Sequence, residues 1–555
     1  MPQTADNPLA PLYYRDNFLR LCETVQARYG DLLDEAEQDF LTVFSQLPGN
    51  AQCLYVRLVS RVGPWFREAK LDYAEIDDQP AALERLLDCG LAIESAELST
   101  GDLDQLYTRG ELQQAFAGEL GDARFARKSD LLDAIEDVLA THGELPQAFY
   151  DLEDGRIVAP AATDTVGILQ VLFFGNRHQS LTDFVLEDLG VTRYYPYRLE
   201  RDQRLFSCRA ALDEYLALAS LSDVFYELME YEQFDLLPGF ARQLLNLQVQ
   251  YPSSAHRWSR LCNRLSRDLE RFGQDELALA VYARSDAHPA RERRARVLEK
   301  QEDWRAAKRL CRDILSNPWC EAEAEAAQRI LPRVSRKLGE KPAPRRRDAF
   351  DDLHLLVPPS ELNVELATAA HLANDWASVH YVENSLMNAL FGLSFWEQIF
   401  APVPGAFHHA YQGAPADMYD PQFRELRADA LEARLRELAS ADLTQELLAA
   451  FHRYQGYQCR WLDWRYLDVQ LLQDALNVIP REHVLAVLQR ILFDPREYRK
   501  GFPDLIALGD KRGDYCMIEV KGPGDNLQDN QKRWLRFFQA EGIPAQVAWV
   551  QWQDD

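Results

Sequence analysis

Three residues in the last tenth of the sequence have the types and the spacing for phosphodiester chemistry. Asp504 stands at the start of one strongly apolar run, and Glu519 and Lys521 lie two residues apart in the next. Side chains alternate between the faces of a strand, so Glu519 and Lys521 share a face while Val520 points to the core. The sequence therefore predicts two carboxylates and a lysine beside each other on a small sheet.

Charged groups that converge beside apolar strands are costly to desolvate, and a divalent cation offsets that cost. Asp504, Glu519 and the carbonyl of Val520 are oxygen ligands of the kind that Mg²⁺ or Mn²⁺ prefers. Lys521 would then position or help to deprotonate a water aimed at phosphorus. This is the logic of a PD-(D/E)xK nuclease core. The alternative is an ordinary strand edge, because Pro-Asp and Glu-x-Lys are frequent by chance and charged residues often decorate exposed edges.

The elements that must position these residues support the nuclease interpretation. Residues 504 and 519 are 15 apart and are separated by the polar segment Gly-Asp-Lys-Arg-Gly-Asp, which predicts a hairpin. A helix from Leu527 to Ala540 and a strand at 545–550 follow. Gln531 lies on that helix, where nucleases of this type often carry a polar residue near the lysine. The end of the sequence is thus predicted to be a small α/β core.

Most of the preceding sequence has the 3–4 spacing of amphipathic helices. Short helices between residues 81 and 142, with Lys128-Ser129-Asp130 before the last, suggest a SAP-like helix-turn-helix unit, either a DNA contact or a plain helical pair. From 183 to 341 longer paired helices resemble tetratricopeptide (TPR) hairpins. A Pro- and charge-rich linker follows at 341–348, and helices are then expected to about Asp494.

The predicted fold is therefore mainly α, with SAP-like and TPR-like helical domains before a C-terminal α/β PD-(D/E)xK core. The predicted domains are an N-terminal helical domain (1–75), a SAP-like DNA-binding domain (76–145), a TPR-like domain with a basic patch (146–345) and the nuclease domain (350–555).

The charge of the chain is unevenly distributed. The 555 residues carry 61 Lys and Arg against 88 Asp and Glu, a net charge of −27, which by itself argues against a nucleic-acid partner. Residues 251–350 hold 23 positive against 15 negative side chains, a net +8, so the remainder carries −35. Arginines at i, i+3, i+7, i+10 and i+14 line one face of a predicted helix in this block. They are Arg257, Arg260, Arg264, Arg267 and Arg271.

A second basic set, Arg293, Arg296 and Lys300, has the same spacing on the next helix, and further candidates precede the Pro-Asp strand. The latter are Arg496, Arg499 and Lys500. Such side chains can follow a phosphate backbone. The alternative is a solvated face laced by salt bridges, since acidic residues stand three and four positions from Arg264 and Arg267.

Other signals are negative. The nine cysteines are scattered without a Cys-x-x-Cys pair, which predicts reduced thiols in a cytoplasmic protein without a structural zinc site. With DNA as its substrate, the protein is expected to be associated with the nucleoid. Neither a signal peptide nor a membrane span is predicted.

The motifs at 501–531 also carry a family resemblance. Gly-Phe-Pro-Asp-Leu, followed by Ile-Glu-Val-Lys-Gly-Pro-Gly-Asp-Asn-Leu and then Gln531 and Trp534, resembles the VRR-NUC domain and in particular the Fanconi-associated nuclease family. The segment from His380 to Tyr419 resembles the beginning of that family's catalytic domain. The helical blocks match in order but less specifically.

The resemblance implies a residue-by-residue assignment. Glu383, in a Tyr-Val-Glu taken as helical, would be an additional metal ligand beside Asp504 and Glu519, and Lys521 the catalytic lysine. It also implies 5′-flap endonuclease and 5′-to-3′ exonuclease activity on branched or crosslinked DNA, interstrand crosslink repair, and a pocket for a 5′-terminal phosphate at Arg257 and Arg293. The sequence has no Cys/His spacing for the ubiquitin-binding zinc finger of larger members, so no ubiquitin partner is expected. Two alternatives stay open: a four-way-junction resolvase and a non-catalytic helical repair scaffold.

Overall fold

A computed structural model of the chain describes residues 12–341 and 348–553, except 62, 95–97, 122, 124, 143–144, 153–154, 178 and 180–192. Most of the linker predicted at 341–348 lies outside the described residues. The chain divides into two units, residues 1–192 and 193–555. Within the described ranges, no helix combines the length and the apolar character needed to cross a membrane.

The first unit packs helices around a small three-stranded antiparallel sheet with the order β1-β3-β2. Asp34 and Glu37 form a capping box at the start of the second helix, and Phe18 and Phe44 lie in an aromatic core. The elements are α1 (Tyr13–Tyr29), α2 (Glu35–Ser45), α3 (Gly49–Val59), β1 (Phe66–Arg67), α4 (Gln79–Asp88), β2 (Ala92–Glu94), α5 (Thr100–Leu106), α6 (Arg109–Ala115), α7 (Ala117–Leu120), α8 (Lys128–His142), α9 (Gln147–Leu152), β3 (Ile157–Pro160) and α10 (Thr163–Phe174).

The second unit begins with an array of paired helices. Proline occupies the first turn of two of them, where its missing N–H is harmless. The predicted apolar stripe of the arginine-bearing helix is buried, with Trp258, Leu261, Leu265 and Leu269 all in the core. The helices are α11 (Arg209–Glu230), α12 (Leu237–Asn246), α13 (Pro252–Arg271), α14 (Asp275–Tyr282), α15 (Ala290–Lys300), α16 (Trp304–Ser316) and α17 (Glu321–Lys337).

The rest of the second unit is an α/β domain built on a five-stranded mixed sheet with the order β4-β8-β7-β6-β5. Its strands are β4 (Asp351–Val357), β5 (Ser378–Tyr381), β6 (Leu505–Leu508), β7 (Tyr515–Lys521) and β8 (Ala545–Trp552). Its helices are α18 (Val364–Leu372), α19 (Leu386–Ser394), α20 (Trp396–Ile399), α21 (Pro421–Leu426), α22 (Ala428–Ser440), α23 (Leu443–Tyr454), α24 (Val469–Val478), α25 (Arg481–Phe493), α26 (Pro495–Tyr498) and α27 (Asp529–Glu541).

The sheet confirms the predicted hairpin and corrects the region before it. β6 and β7 are antiparallel, as the predicted hairpin requires, and β8, the strand predicted after the helix, runs parallel to β7. The expectation of helices alone up to Asp494 was wrong, because β4 and β5 lie within that region. Both are edge strands: β4 has exposed positions along most of its length and β5 spans only four residues, so neither has the continuous apolar pattern of a buried strand.

Two apolar layers hold the hairpin in place. On one side the indole of Trp534, from α27, stacks on Phe502 with ring centroids 4.0 Å apart. On the other side α18 packs Leu372 against a cluster that includes Val520. The hairpin that carries the predicted catalytic residues is therefore fixed on both faces.

Candidate active site

The antiparallel pairing of β6 and β7 brings the three predicted residues together. Leu505 pairs with Ile518, which places Asp504, the residue before β6, beside Glu519. The backbone N–H of Val520 donates to Oδ2 of Asp504 at 2.8 Å. The residues at 504, 519 and 521 are only 8 %, 1 % and 8 % exposed. The three ionisable side chains are therefore buried inside the protein, as the sequence predicts, and do not lie on an exposed strand edge.

Glu519 has an incomplete set of partners. Nζ of Lys521 lies 2.9 Å from its Oε1, on the same strand face. Among the described residues, however, neither of its carboxylate oxygens accepts a properly directed hydrogen bond. An unsatisfied buried carboxylate is destabilising unless a cation compensates it.

The environment favours the protonated forms of both carboxyl groups. The pKa of Glu519 is raised to about 8, chiefly by burial and then by the neighbouring charge of Asp504, although Lys521 opposes the shift. The pKa of Asp504 is raised to about 6, chiefly by burial; the charge of Glu383 acts in the same direction, and the N–H of Val520 opposes it. Three carboxyl groups face a single lysine, so full ionisation of Asp504, Glu519 and Glu383 would give the site an excess of negative charge.

Glu383 reaches this site from a turn and not from a helix. It follows β5, which pairs with β6 so that Tyr381 lies opposite Leu505. The hydroxyl of Tyr381 donates to Glu383 at 2.6 Å, and Asn384 donates to its other oxygen at 3.0 Å. The helical assignment of this segment was wrong because β5 is too short for its alternation to stand out, but the structure does bring Glu383 into the electrostatic field of Asp504.

Gln531 lies on the helix that follows β7, as predicted, and its side chain caps that helix. Its side-chain oxygen accepts from the backbone N–H of Gln528 at 2.8 Å, as part of a capping box at the start of α27. The structure therefore gives Gln531 a helix-capping contact and shows no hydrogen bond from it to Lys521. Its catalytic role stays a prediction.

Sequence reasoning missed two residues of the site. Tyr381 orients Glu383, as described above. Glu365, on α18, contributes negative charge that raises the pKa of Asp504. Neither stands at a diagnostic spacing from the Pro-Asp or Glu-x-Lys motifs, since both are brought in by pairing and packing of elements more than 120 residues upstream in the sequence.

The chemistry of these donors fits a hard divalent cation. Within the described residues, no three His, Cys, Asp or Glu side chains already surround a common point. Glu519 nevertheless supplies two buried carboxylate oxygens that lack directed hydrogen bonds from the described residues, and Asp504 and Glu383 add further carboxylates, which a hard cation would compensate. The residues that would hold it are Asp504, Glu519 and Glu383, with the carbonyl of Val520.

The predicted phosphate-binding residues divide into two groups. Arg257 donates to the hydroxyl of Tyr215 at 2.8 Å, and its Nε is buried without a hydrogen-bond partner in the described part of the chain. Arg260 and Arg264 are exposed on the same helix face. In contrast, both Arg293 and Arg296 are ion-paired: the former is held by Glu270 and the latter by Glu292 at 2.7 Å. The structure thus leaves the α13 side chains more available to an anion than those of α15.

The arginine face of α13 meets the nuclease domain at Asp420. Nδ1 of His256 lies 3.7 Å and Nη2 of Arg496 lies 3.8 Å from Oδ1 of this aspartate. Burial raises the pKa of Asp420, and His256, Arg496 and Arg260 oppose the shift. Basic side chains from the helical array and from the nuclease domain therefore converge on one place.

The other two basic candidates lie beyond Arg496. Arg499 donates to the hydroxyl of Tyr419 and its guanidinium lies 5.1 Å from the centre of that ring. Lys500 is exposed, and its carbonyl accepts from the indole of Trp534 at 3.0 Å. Both stand just before the Pro-Asp strand, so a basic surface continues from α13 to the neighbourhood of Asp504.

A mixed sheet with Asp504 before one strand and Glu519 and Lys521 on the next defines a nuclease core of the PD-(D/E)xK type. The sequence model of the VRR-NUC domain matches residues 439–552, and that of the "FAN1, HTH domain" matches residues 12–93. The chain belongs to the Fanconi-associated nuclease family.

Individual relatives support this assignment along nearly the whole chain. The Fanconi-associated nuclease 1 homolog of Pseudomonas aeruginosa is 36% identical over 98% of this chain and 97% of its own. The human Fanconi-associated nuclease 1 is 24% identical over 99% of this chain, which spans 63% of the human protein. A crystal structure of paFAN1 bound to 2-nucleotide 5′-flap DNA with a gap superimposes with a TM-score of 0.80 at 36% identity, covering 99% of this chain and 100% of that one.

Proposed function

We propose that this chain is a divalent-metal-dependent, structure-specific DNA nuclease that cuts 5′ flaps, degrades DNA from 5′ to 3′ and unhooks interstrand crosslinks. The observation that carries the proposal is the buried set of Asp504, Glu519 and Lys521, which shares one structural unit with the arginine face of α13. The likeness to a relative crystallised with 5′-flap DNA supports the choice of substrate.

Each residue of the site has a role in this proposal. Asp504, Glu519, Glu383 and the carbonyl of Val520 hold Mg²⁺ or Mn²⁺. When bound, the cation stabilises the attacking and leaving oxygens of an in-line displacement at phosphorus. Lys521, fixed 2.9 Å from Glu519, orients the attacking water and takes up part of its developing negative charge. Apolar packing on both faces of the hairpin keeps the distance between these groups constant.

The basic surface would place the scissile bond. Arg257 has a buried, unpaired Nε and a face packed on Tyr215, so a phosphate bound there would meet a guanidinium whose orientation is already set. Arg260, Arg264, Arg496, Arg499 and Lys500 would contact the phosphates between that point and the metal. Arg293 and Arg296 would join only if the phosphate displaced their present carboxylate partners.

The proposal also covers the division into domains and the place where the protein acts. We propose four domains, at 1–75, 76–145, 146–345 and 350–555. Strand β3 of the first unit, at 157–160, nevertheless pairs with both β1 and β2, which lie on opposite sides of the boundary between residues 75 and 76. We also propose that the protein works at the nucleoid, because its substrate is there.

Cleavage of defined DNA structures tests the proposed function. The purified protein is incubated with Mg²⁺ or Mn²⁺ and a 5′ flap, a four-way junction or a linear duplex, and is compared with the variants Asp504→Ala and Lys521→Ala. Lys511→Ala, in the exposed turn of the same hairpin, is the matched control. We expect flap cleavage by wild type and control, and a loss of at least about a hundredfold in both site variants. Preference for the four-way junction would instead indicate a resolvase, and absence of all cleavage would indicate a helical scaffold.

A further inference from the structure

Three arginine–aromatic contacts lie along the groove between α11 and α13: two join the helices, and the third lies at the end of α13. The guanidinium of Arg257 lies 4.3 Å from the ring centre of Tyr215, and that of Arg264 lies 5.2 Å from Tyr226. The helices run in the same direction, since the pairs follow each other in the same order along both. We call this groove the arginine–aromatic seam; its residues are Tyr215, Tyr226, Phe234, Arg257, Arg264, Arg271 and Phe272.

The far end of the seam lies beyond the ends of both helices. Phe272, which directly follows α13, stacks on Phe234 with centroids 4.5 Å apart and an interplanar angle of 25°. Arg271 lies 5.7 Å from the centre of the same Phe272 ring. From Arg257 to Arg271 the helix advances 14 residues, or roughly 21 Å, which is the length of about six nucleotides of a DNA strand.

Two aromatic rings of the seam are open to solvent, whereas Tyr215 is buried and Phe234 is half-buried. Tyr226 is 44% exposed and Phe272 is 39% exposed. Arg264 and Arg267 are exposed beside them. Aromatic faces alternating with guanidinium groups are what single-stranded nucleic acids require, because each base can stack on a ring while each phosphate meets a cation.

The two sides of the seam carry opposite charge. The arginines stand on α13, whereas the exposed edge of α11 next to Tyr226 carries three acids, Asp223, Glu227 and Glu230. These acids would repel phosphates from the α11 side. A strand in the seam would therefore lay its backbone along α13 and turn its bases toward the aromatic rings.

We propose that the arginine–aromatic seam binds the single-stranded flap itself, with bases stacked on Tyr226 and Phe272. This inference rests on the proposed flap nuclease function. The Arg257 end of the seam is the end nearest to the nuclease domain, because the neighbouring His256 contacts Asp420. A flap of one nucleotide would end at Arg257, and a longer flap would continue outward along the seam to Phe272.

The test compares bases with bare backbone in the flap. Three 5′-flap DNAs are used: a flap of one nucleotide, a flap of eight thymidines, and the same eight-nucleotide flap made of abasic sites. Binding of the full chain is measured by fluorescence anisotropy in EDTA, so that no DNA is cut. We expect wild type to bind the thymidine flap at least about fivefold more tightly than the abasic flap, which is the lower range of stacking one base on an aromatic ring.

Variants of the seam identify where the bases stack. Tyr226→Ala and Phe272→Ala are expected to lose the preference for thymidine over abasic flaps, while affinity for the one-nucleotide flap stays unchanged. Tyr226→Phe keeps the ring and is expected to keep the preference. The matched control is Tyr466→Ala, which removes another exposed tyrosine, 5.4 Å from the guanidinium of Arg465 but outside the seam.

Several outcomes would overturn the inference. Equal binding of thymidine and abasic flaps by wild type would mean that the seam contacts phosphates only or serves a protein partner. An alanine variant that keeps the full preference, or a loss in Tyr226→Phe, would exclude base stacking on that ring. Cleavage of the one-nucleotide flap by wild type is measured in parallel with Mn²⁺; its absence would refute the nuclease function separately, because the anisotropy measurement does not depend on cleavage.

Discussion

Replacing Glu519 with glutamine should make the metal-free protein more stable while it abolishes cleavage. The carboxylate is 1 % exposed, its oxygens lack directed hydrogen bonds from the described residues, and Asp504 stands beside it. Glutamine has the same shape without the charge. The substitution therefore removes an unfavourable buried charge and, with it, a ligand on which the proposed chemistry depends.

The pKa of Glu519 determines the size and the pH dependence of this effect. An acid whose pKa rises from 4.5 to about 8 on folding binds its proton more tightly in the folded state. The wild-type protein consequently keeps the full stability of the folded state below pH 4.5 and loses part of it as the pH rises toward 8. At about 1.4 kcal/mol per pH unit the loss approaches ~5 kcal/mol, an upper bound. Relaxation and water entry reduce it, so we expect Glu519→Gln to gain roughly 2 kcal/mol at pH 8.5 and under about 1 kcal/mol at pH 5.

Thermal unfolding measures this difference directly. Melting curves of wild type and Glu519→Gln are recorded from pH 5 to pH 8.5 in EDTA and then with Mn²⁺. We expect the variant to melt several degrees higher at pH 8.5 in EDTA, and Mn²⁺ to raise the Tm of wild type but not of the variant. Glu323→Gln is the matched control. Glu323 is equally buried but accepts directed hydrogen bonds from Arg291, which Glu519 does not receive from Lys521, so this change should destabilise by about 3 kcal/mol.

Two results would refute the reasoning. If the Tm difference between Glu519→Gln and wild type is the same at pH 5 and pH 8.5, ionisation of the Glu519 carboxyl group does not destabilise the folded protein. Retention of flap cleavage by the variant would show that Glu519 is not part of the chemistry, whatever its effect on stability.

Three further predictions concern the phosphate site, the contact between helical array and nuclease domain, and the core. Arg257→Ala should weaken cutting of 5′-phosphorylated short flaps more than of unphosphorylated ones, and equal losses on both would exclude a terminal-phosphate pocket. Arg533→Ala removes a side chain that donates to Glu325 at 2.7 Å and to Glu497 at 2.8 Å; we expect urea unfolding to show a loss of about 1–3 kcal/mol, whereas an unchanged midpoint would mean that this network is not stabilising. Gly392→Ala places a methyl group 2.4 Å from Cδ1 of Leu462. The free energy of unfolding should therefore fall by roughly 1–3 kcal/mol in the same measurement. Unaltered stability would show that the residues around Leu462 shift without cost to accommodate the methyl group.

The reaction centre was predictable because its residues are local in sequence. Asp504, Glu519 and Lys521 all lie on one hairpin, whose period-2 pattern and polar turn are visible without knowledge of the rest of the fold. The arginines of α13 were predictable for the same reason, since the i, i+3, i+7 spacing on one helix fixes both the buried stripe and the charged face.

The features that residue spacing alone could not reveal depend on contacts between residues that are distant in the sequence. Glu383 reaches the site only because β5 pairs with β6 across more than 120 residues, and the four residues of β5 carry no decisive pattern. Sequence spacing also could not reveal that Glu270 already binds Arg293, because those two residues belong to different helices. The capping contact of Gln531 was missed for a local reason. The helix begins at Asp529, two residues later than predicted, and this shift places Gln531 in the first turn of the helix.

The strand order of the nuclease sheet has a consequence for protein synthesis. β8 comes after every other strand of this sheet in the sequence, yet it lies between β4 and β7 and pairs with both. While the ribosome is still making the preceding residues, the sheet is split and β7 has an unpaired edge next to Glu519 and Lys521. Because domains fold as units during translation, the hydrolytic groups are fixed only after the central strand has been made. A nascent chain would therefore gain its complete hydrolytic site only when synthesis of this domain is finished.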